Sequence, residues 1–95
     1  MMTEVRNNED ETRYELETDA GLALAAYAPK NGIVSFTHTE VPQALEGQGI
    51  GSRLIKGALD DVRSRGLKVR PLCSFVRSYM ERHPETHDLL AEPLG

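Results

Sequence analysis

From Arg13 the chain begins to alternate. In RYELET the apolar Tyr14 and Leu16 are interleaved with Glu15 and Glu17, which is the two-residue period of a strand with one buried face. Asp19-Ala20-Gly21 interrupts the pattern with turn residues, and LALAAYAP resumes it as a second strand, although its alanines would also suit a helix. Pro29, Asn31 and Gly32 supply the next turn. GIVSFTHTEV, with Val34, Phe36 and several β-branched residues, predicts a third strand. Three strands joined by short turns make an antiparallel meander. Pro42 cannot donate to a ladder and ends this region.

Beyond Ile50 the period lengthens. Ile50, Leu54, Ala58 and Val62 fall four residues apart, with Ile55 and Leu59 widening the stripe, so a helix is predicted to run to Arg65. Arg63 and Arg65 lie in its last turn and Gly66 follows as a C-terminal cap. LKVRPL alternates again as a fourth strand. SFVRSYMERH then places Phe75, Val76, Tyr79 and Met80 on one helical face, and Pro84 stops that helix and opens PETHDLLAE. Residues 1–11 show no periodicity and are expected to form a disordered tail, which leaves 12–95 as one domain. The predicted class is α/β, a minimal mixed sheet in the order β-β-β-α-β-α, with the third and fourth strands flanking a crossover helix.

Composition narrows the function classes. Ninety-five residues with 39% apolar content suffice for one small domain. The acidic, polar N-terminus is unlike a secretory signal and no apolar run approaches the roughly twenty residues of a membrane span, so the cytoplasm is the expected location. A single cysteine, Cys73, rules out an internal disulfide, and three histidines without ligand spacing predict no metal site. The net charge of −4 argues against general nucleic-acid binding. Eight of the eleven basic residues nevertheless lie between 53 and 82, against only Asp60, Asp61 and Glu81. Solvated helix faces are the plain account of such a run; a limited basic surface for a small polyanion is the functional one.

The stretch LEGQGIGSRL opens that basic segment with Gly47, Gly49 and Gly51 directly before the helix. Glycine permits sharp turns and close approach to the main chain, and the first amides of a helix have no partner of their own. A strand, a glycine-rich turn and a helix N-terminus in that order favour a phosphate cradle over an ordinary tight turn.

These residues carry a resemblance. EVPQALEGQGIGSRL resembles the acetyl-CoA binding motif of the GNAT superfamily of N-acetyltransferases, in which Arg or Gln is followed by two residues, Gly, one residue, and Gly or Ala. On its glycines that pattern falls on Glu46, Gly49 and Gly51. HTEVP, the glycine loop, PLCSFV and RHPE in that order resemble a short, single-domain branch of predicted acetyltransferases, from about Tyr14 to Leu90. The resemblance implies a GNAT-like fold that binds acetyl-CoA as cosubstrate. Thr39 to Val41 would be the splayed strand beside pantetheine. Glu46, Gly47, Gln48, Gly49, Ile50 and Gly51, followed by Ser52 and Arg53, would hold the pyrophosphate. A main-chain N–H near Val41 would polarise the thioester carbonyl for direct attack by an amine. Two departures stand out: Glu46 brings a carboxylate to the motif's first position, and one short turn separates Leu16 from Leu24 where the superfamily typically carries two helices. The second implies an acceptor side that is open or completed by another molecule.

Four side chains are candidates for chemistry. Cys73 stands between a strand and a helix N-terminus, a setting that can activate a thiol, and its plain role is that of a small buried apolar residue. His38 and Glu40 share one face at the end of the third strand, where either can accept a proton from an amine; surface polarity is the alternative for each. The resemblance implies a tyrosine as proton donor to the leaving thiolate, a role Tyr79 would fill, although its spacing with Phe75 and Val76 also fits core. His83 and His87 are read as helix-terminal and exposed. The expected activity is acetyl transfer from acetyl-CoA to an amine or protein acceptor. The alternative is a non-catalytic CoA-binding or protein-interaction module on the same fold.

Overall fold

The computed structural model describes residues 4–94. Five strands pair in chain order: β1 (Arg6–Asn8), β2 (Arg13–Thr18), β3 (Gly21–Lys30), β4 (Ile33–Glu40) and β5 (Lys68–Pro71). The first four are antiparallel and β5 lies parallel to β4. A parallel neighbour needs a crossover, and helix α1 (Ile50–Ser64) supplies it. Helix α2 (Ser74–Arg82) and a 3-10 segment (Pro84–Leu89) follow β5. The chain then returns to the sheet edge, where the Ala91 amide donates to the Val69 carbonyl at 2.9 Å.

The meander and both helices match the periodicity. Between β3 and β4, Asn31 and Gly32 both have positive φ, 54° and 80°, as a two-residue hairpin of the favoured twist requires. LALAAYAP is a strand, and it runs on through Pro29 to Lys30 rather than closing at the proline. Tyr14, Leu16, Ala23, Ala25, Tyr27, Val34, Phe36 and Val69 fall on one face by register and pack against Leu54, Ile55, Ala58 and Val62 of α1 and Val76 and Met80 of α2. The fold is therefore two layers, helices on one face of the sheet. Among the described residues no helix covers the other.

The expected disordered tail needs correction. Its residues 6–8 form β1, an additional edge strand, while Met1 to Thr3 lie outside the described residues. The strand is held by polar partners that no hydrophobic pattern reports. Arg6 and Asn8 donate to the Glu15 carboxylate at 2.9 and 3.0 Å, and Tyr27 donates to Asn7 Oδ1 at 2.6 Å. Val5 packs onto α1 where Gly57 has no side chain; a Cβ there would lie 2.6 Å from Val5. Glu15 is buried on the helix-free face. Hydrogen bonding from Arg13, and then from Asn8 and Arg6, holds its carboxyl down to about 2 against the opposing effect of desolvation.

Candidate functional site

The sheet comes apart at one place. β4 and β5 pair only from Ile33↔Lys68 to Phe36↔Pro71. Pro71 has no N–H, the Leu72 amide turns back to the Arg70 carbonyl, and the Cys73 amide makes the last cross-strand bond, to Phe36 O at 2.9 Å. Cys73 is then the N-cap residue of α2, so the chain leaves the sheet. β4 continues to Glu40 with only β3 beside it, through a bulge that places Thr37 between the Tyr27↔Phe36 and Ala26↔His38 pairs. Thr39 Oγ1 and Cys73 Sγ face each other at 3.3 Å across the opening.

The bulge and the alternation beyond it sort the strand end onto two faces. Thr39 pairs with Ala25 and so lies on the helix side, whereas His38 and Glu40 pair with Ala26 and Leu24 and lie on the helix-free side. There His38 Nε2 and Glu40 Oε2 are 2.7 Å apart, and both side chains are exposed. The two share one face, as their spacing predicts.

On the helix side, Thr39 and Val41 open into a cavity of about 430 Å³. The glycine loop, the first turn of α1 and α2 form its remaining walls. Gly47 and Gly49 have φ of 85° and 79°, a region that favours glycine, and no atom lies within 4 Å of where their Cβ would stand. Gly49 is the N-cap of α1 and has no side chain to cap it, and the first turn carries no acidic residue. The amides of Ile50, Gly51 and Ser52 thus lack the usual cap. Gly51 is glycine for a different reason. A Cβ on it would lie 2.3 Å from the Phe75 ring, so its absence lets α2 pack against the start of α1.

Of the residues expected to hold the ligand, Thr39, Val41, Glu46, Gly47, Gly49, Ile50, Gly51 and Ser52 all line this cavity; Gln48 and Arg53 do not. Leu45, Phe75 and Arg82 line it unanticipated. Periodicity predicts Phe75 on the core face of its helix, but it is 38% exposed. It lies seven residues before Arg82, hence on the same helical face.

The proposed chemistry-bearing residues separate. Cys73 and Thr39 stand at the opening, with His38 and Glu40 on its helix-free side. Tyr79 is buried, stacked on His83 with ring centroids 4.0 Å apart, and it lines a second cavity with Lys56, Asp60 and Arg63 that shares no residue with the first. Burial raises its hydroxyl pKa. Among the described residues no cluster of His, Cys, Asp and Glu is arranged to hold a metal, and no helix is long and apolar enough to cross a membrane.

The chain is similar in sequence and fold to known proteins. The family model of the GCN5-related N-acetyl-transferases matches residues 13–89. Protein NATD1 of Homo sapiens and of Gallus gallus are each 39% identical to the chain over 66 residues, 70% of its length. The match spans 58% of the human protein and 59% of the chicken one, so the chain corresponds to little more than half of these relatives. A GCN5-like protein of Staphylococcus aureus, solved by NMR in solution, superposes over 95% of this chain and 89% of its own with a TM-score of 0.73 and 27% identity.

Proposed function

Because the chain belongs to the GCN5-related N-acetyl-transferase family, we propose that it binds acetyl-CoA in the cavity beside Thr39 and transfers the acetyl group to an amine. The observation that carries this reading is the coincidence of two features at one place. The β4–β5 ladder ends at Phe36 and Cys73, and the uncapped N-terminus of α1 lines the cavity next to it.

The residues present fit such a ligand. The free amides at the start of α1, with Gly47 and Gly49 leaving the main chain accessible, suit a pyrophosphate. The edge of β4 that β5 leaves open at Thr39 and Glu40, with Val41 just beyond, offers main-chain groups to a pantetheine arm lying in the opening. An acetyl thioester supplies the activated acyl group. A main-chain amide near Val41, at the end of β4, would polarise its carbonyl, with Thr39 and Cys73 bordering the acyl position. In this reading Cys73 borders the opening without bonding to the acyl group, since direct attack needs no acyl-enzyme. The acceptor approaches from the helix-free face, and its nitrogen bonds to the acetyl carbon as the C–S bond breaks. CoA leaves as the thiolate, which takes its proton from solvent, and Glu40 or His38 takes the proton that the amine loses. Tyr79 belongs to the packing of α2 in this reading. Holding donor and acceptor in line is the main contribution of the site.

Calorimetric titration with acetyl-CoA tests this, with Gly49→Asp as control. Aspartate tolerates a positive φ better than most side chains and sets a carboxylate at the anion site, and a thermal melt checks that the variant, strained at φ 79°, keeps the fold. Binding by the wild type that is lost in Gly49→Asp supports the reading, and a screen of amines then measures turnover. Binding without turnover of any amine would favour the non-catalytic CoA-binding module, for which the carboxylate of Glu46 on the cavity wall is the favouring observation.

A further inference from the structure

The basic segment between 53 and 82 is largely neutralised within the fold. Lys56 pairs with Asp60, Arg63 with Asp88, Arg65 with Asp61 and Glu9, Arg70 with Glu92, and Arg77 with Glu81. Lys68 donates to the Asp88 carbonyl at 2.8 Å. Among the described residues, Arg53 and Arg82 are the two of that segment with neither a carboxylate nor a carbonyl partner. Only Arg82 lines the cavity.

The position of Arg82 is specific. Its Nη1 lies 3.4 Å from Ser78 Oγ, one turn earlier on α2, so the side chain folds back along the helix toward Phe75. Phe75, Ser78 and Arg82 thus form a stripe on one face of α2, with both ends of the stripe lining the cavity that also holds the α1 N-terminus. A carboxylate, Glu46, stands on the same cavity's wall and forms no salt bridge with Arg82. An uncommitted guanidinium facing a cavity with uncapped amides is suited to a group carrying more than one negative charge.

We infer that Arg82 is a ligand-binding residue that pairs with a phosphate group of the bound nucleotide, offsetting the repulsion from Glu46. This rests on the acetyl-CoA reading of the cavity. The guanidinium and the α1 amides would then grip the anionic part of the ligand from two helices, with the Phe75 ring between them, and α2 would serve the site at both its ends.

Titration of acetyl-CoA into the wild-type chain, Arg82→Gln and Arg82→Lys, each at low and high sodium chloride, tests the assignment. Arg82 is exposed, so both variants keep the fold, which a thermal melt checks. Arg82→Gln is expected to weaken binding about ten- to a hundredfold at low salt, the range of a charge-assisted hydrogen bond. Arg82→Lys recovers part of that loss, and the gap between Gln and wild type narrows at high salt as the charge is screened. Equal affinity of Arg82→Gln and wild type at low salt overturns the assignment while leaving the acetyl-CoA reading intact, as does a loss that is the same at both salt concentrations. Absence of binding by the wild type overturns the acetyl-CoA reading and this assignment with it.

Discussion

Through Ile33–Phe36, β4 has β3 on one side and β5 on the other, and Val34 and Phe36 are buried beneath the helices. From Thr37 to Glu40 the same strand has β3 alone, a bulge, and side chains that are polar and half-buried or exposed. The boundary between the halves is set by β5. Proline at 71 cannot donate, and Cys73 makes the last bond before α2 begins. One strand therefore contributes its first half to stability and leaves its second half, with unpaired main chain, beside a cavity. Mutations in the two halves should separate stability from function.

The largest effect is expected in the paired half. Phe36→Ala removes a fully buried ring that contacts Tyr14 and Tyr27 and should cost about 3–5 kcal/mol, read from denaturant midpoints. In the open half, Glu40→Gln should leave the melting temperature unchanged, because an exposed contact such as that between His38 and Glu40 contributes little. It should lower acetyl turnover about a hundredfold or more if Glu40 takes the amine proton; unchanged turnover would move that role to His38 or solvent. Gly51→Ala stands at the seam. It should cost about 1–3 kcal/mol by displacing the Phe75 ring, and in a Phe75→Ala background the cost should largely vanish. Equal costs in both backgrounds would mean that another contact fixes this glycine.

Acid sensitivity sharpens the contrast between the two faces of the sheet. The Glu15 carboxyl is held at about 2 in the folded chain by Arg13, Asn8 and Arg6, below its ordinary value near 4.5. The unfolded chain therefore binds the additional proton. The stability contributed by Glu15 is fully present above about pH 4.5 and is lost as pH falls toward 2. In Glu15→Gln, stability should change less over that window, as followed by chemical denaturation at fixed pH. A wild type and variant with parallel profiles would remove Glu15 as a source of acid lability. The smallest effect is expected for Thr39→Val, within about 1 kcal/mol, since the half-buried Thr39–Cys73 contact involves a weakly hydrogen-bonding sulfur.

The elements with apolar periodicity were legible in the sequence. Tyr14 and Leu16, Val34 and Phe36, and the Leu54 to Val62 stripe point where their spacing places them. The strand at Arg6–Asn8 was not legible, because its partners, Glu15 and Tyr27, are polar and distant in the chain. The cavity was legible on the side written as one continuous motif, from Thr39 to Ser52. Its α2 wall was hidden, since Phe75 fits an apolar helical stripe as well as it fits a cavity. The spacing of Phe75, Ser78 and Arg82 was available, but it gains meaning only once Gly51 and α2 are seen together. The same holds for Gly51, whose reason lies in a neighbour twenty-four residues later and not in its own backbone.

On the proposed reading, ligand binds where β4 loses β5, against the start of α1. Following backbone amides by NMR while adding acetyl-CoA to the labelled chain tests it most directly. Shifts concentrated at Thr39, Val41, Gly47 to Ser52 and Phe75 are predicted, with the paired half of β4 little moved. Shifts centred instead on Lys56, Asp60 and Tyr79, or no shifts at saturating ligand, would contradict it.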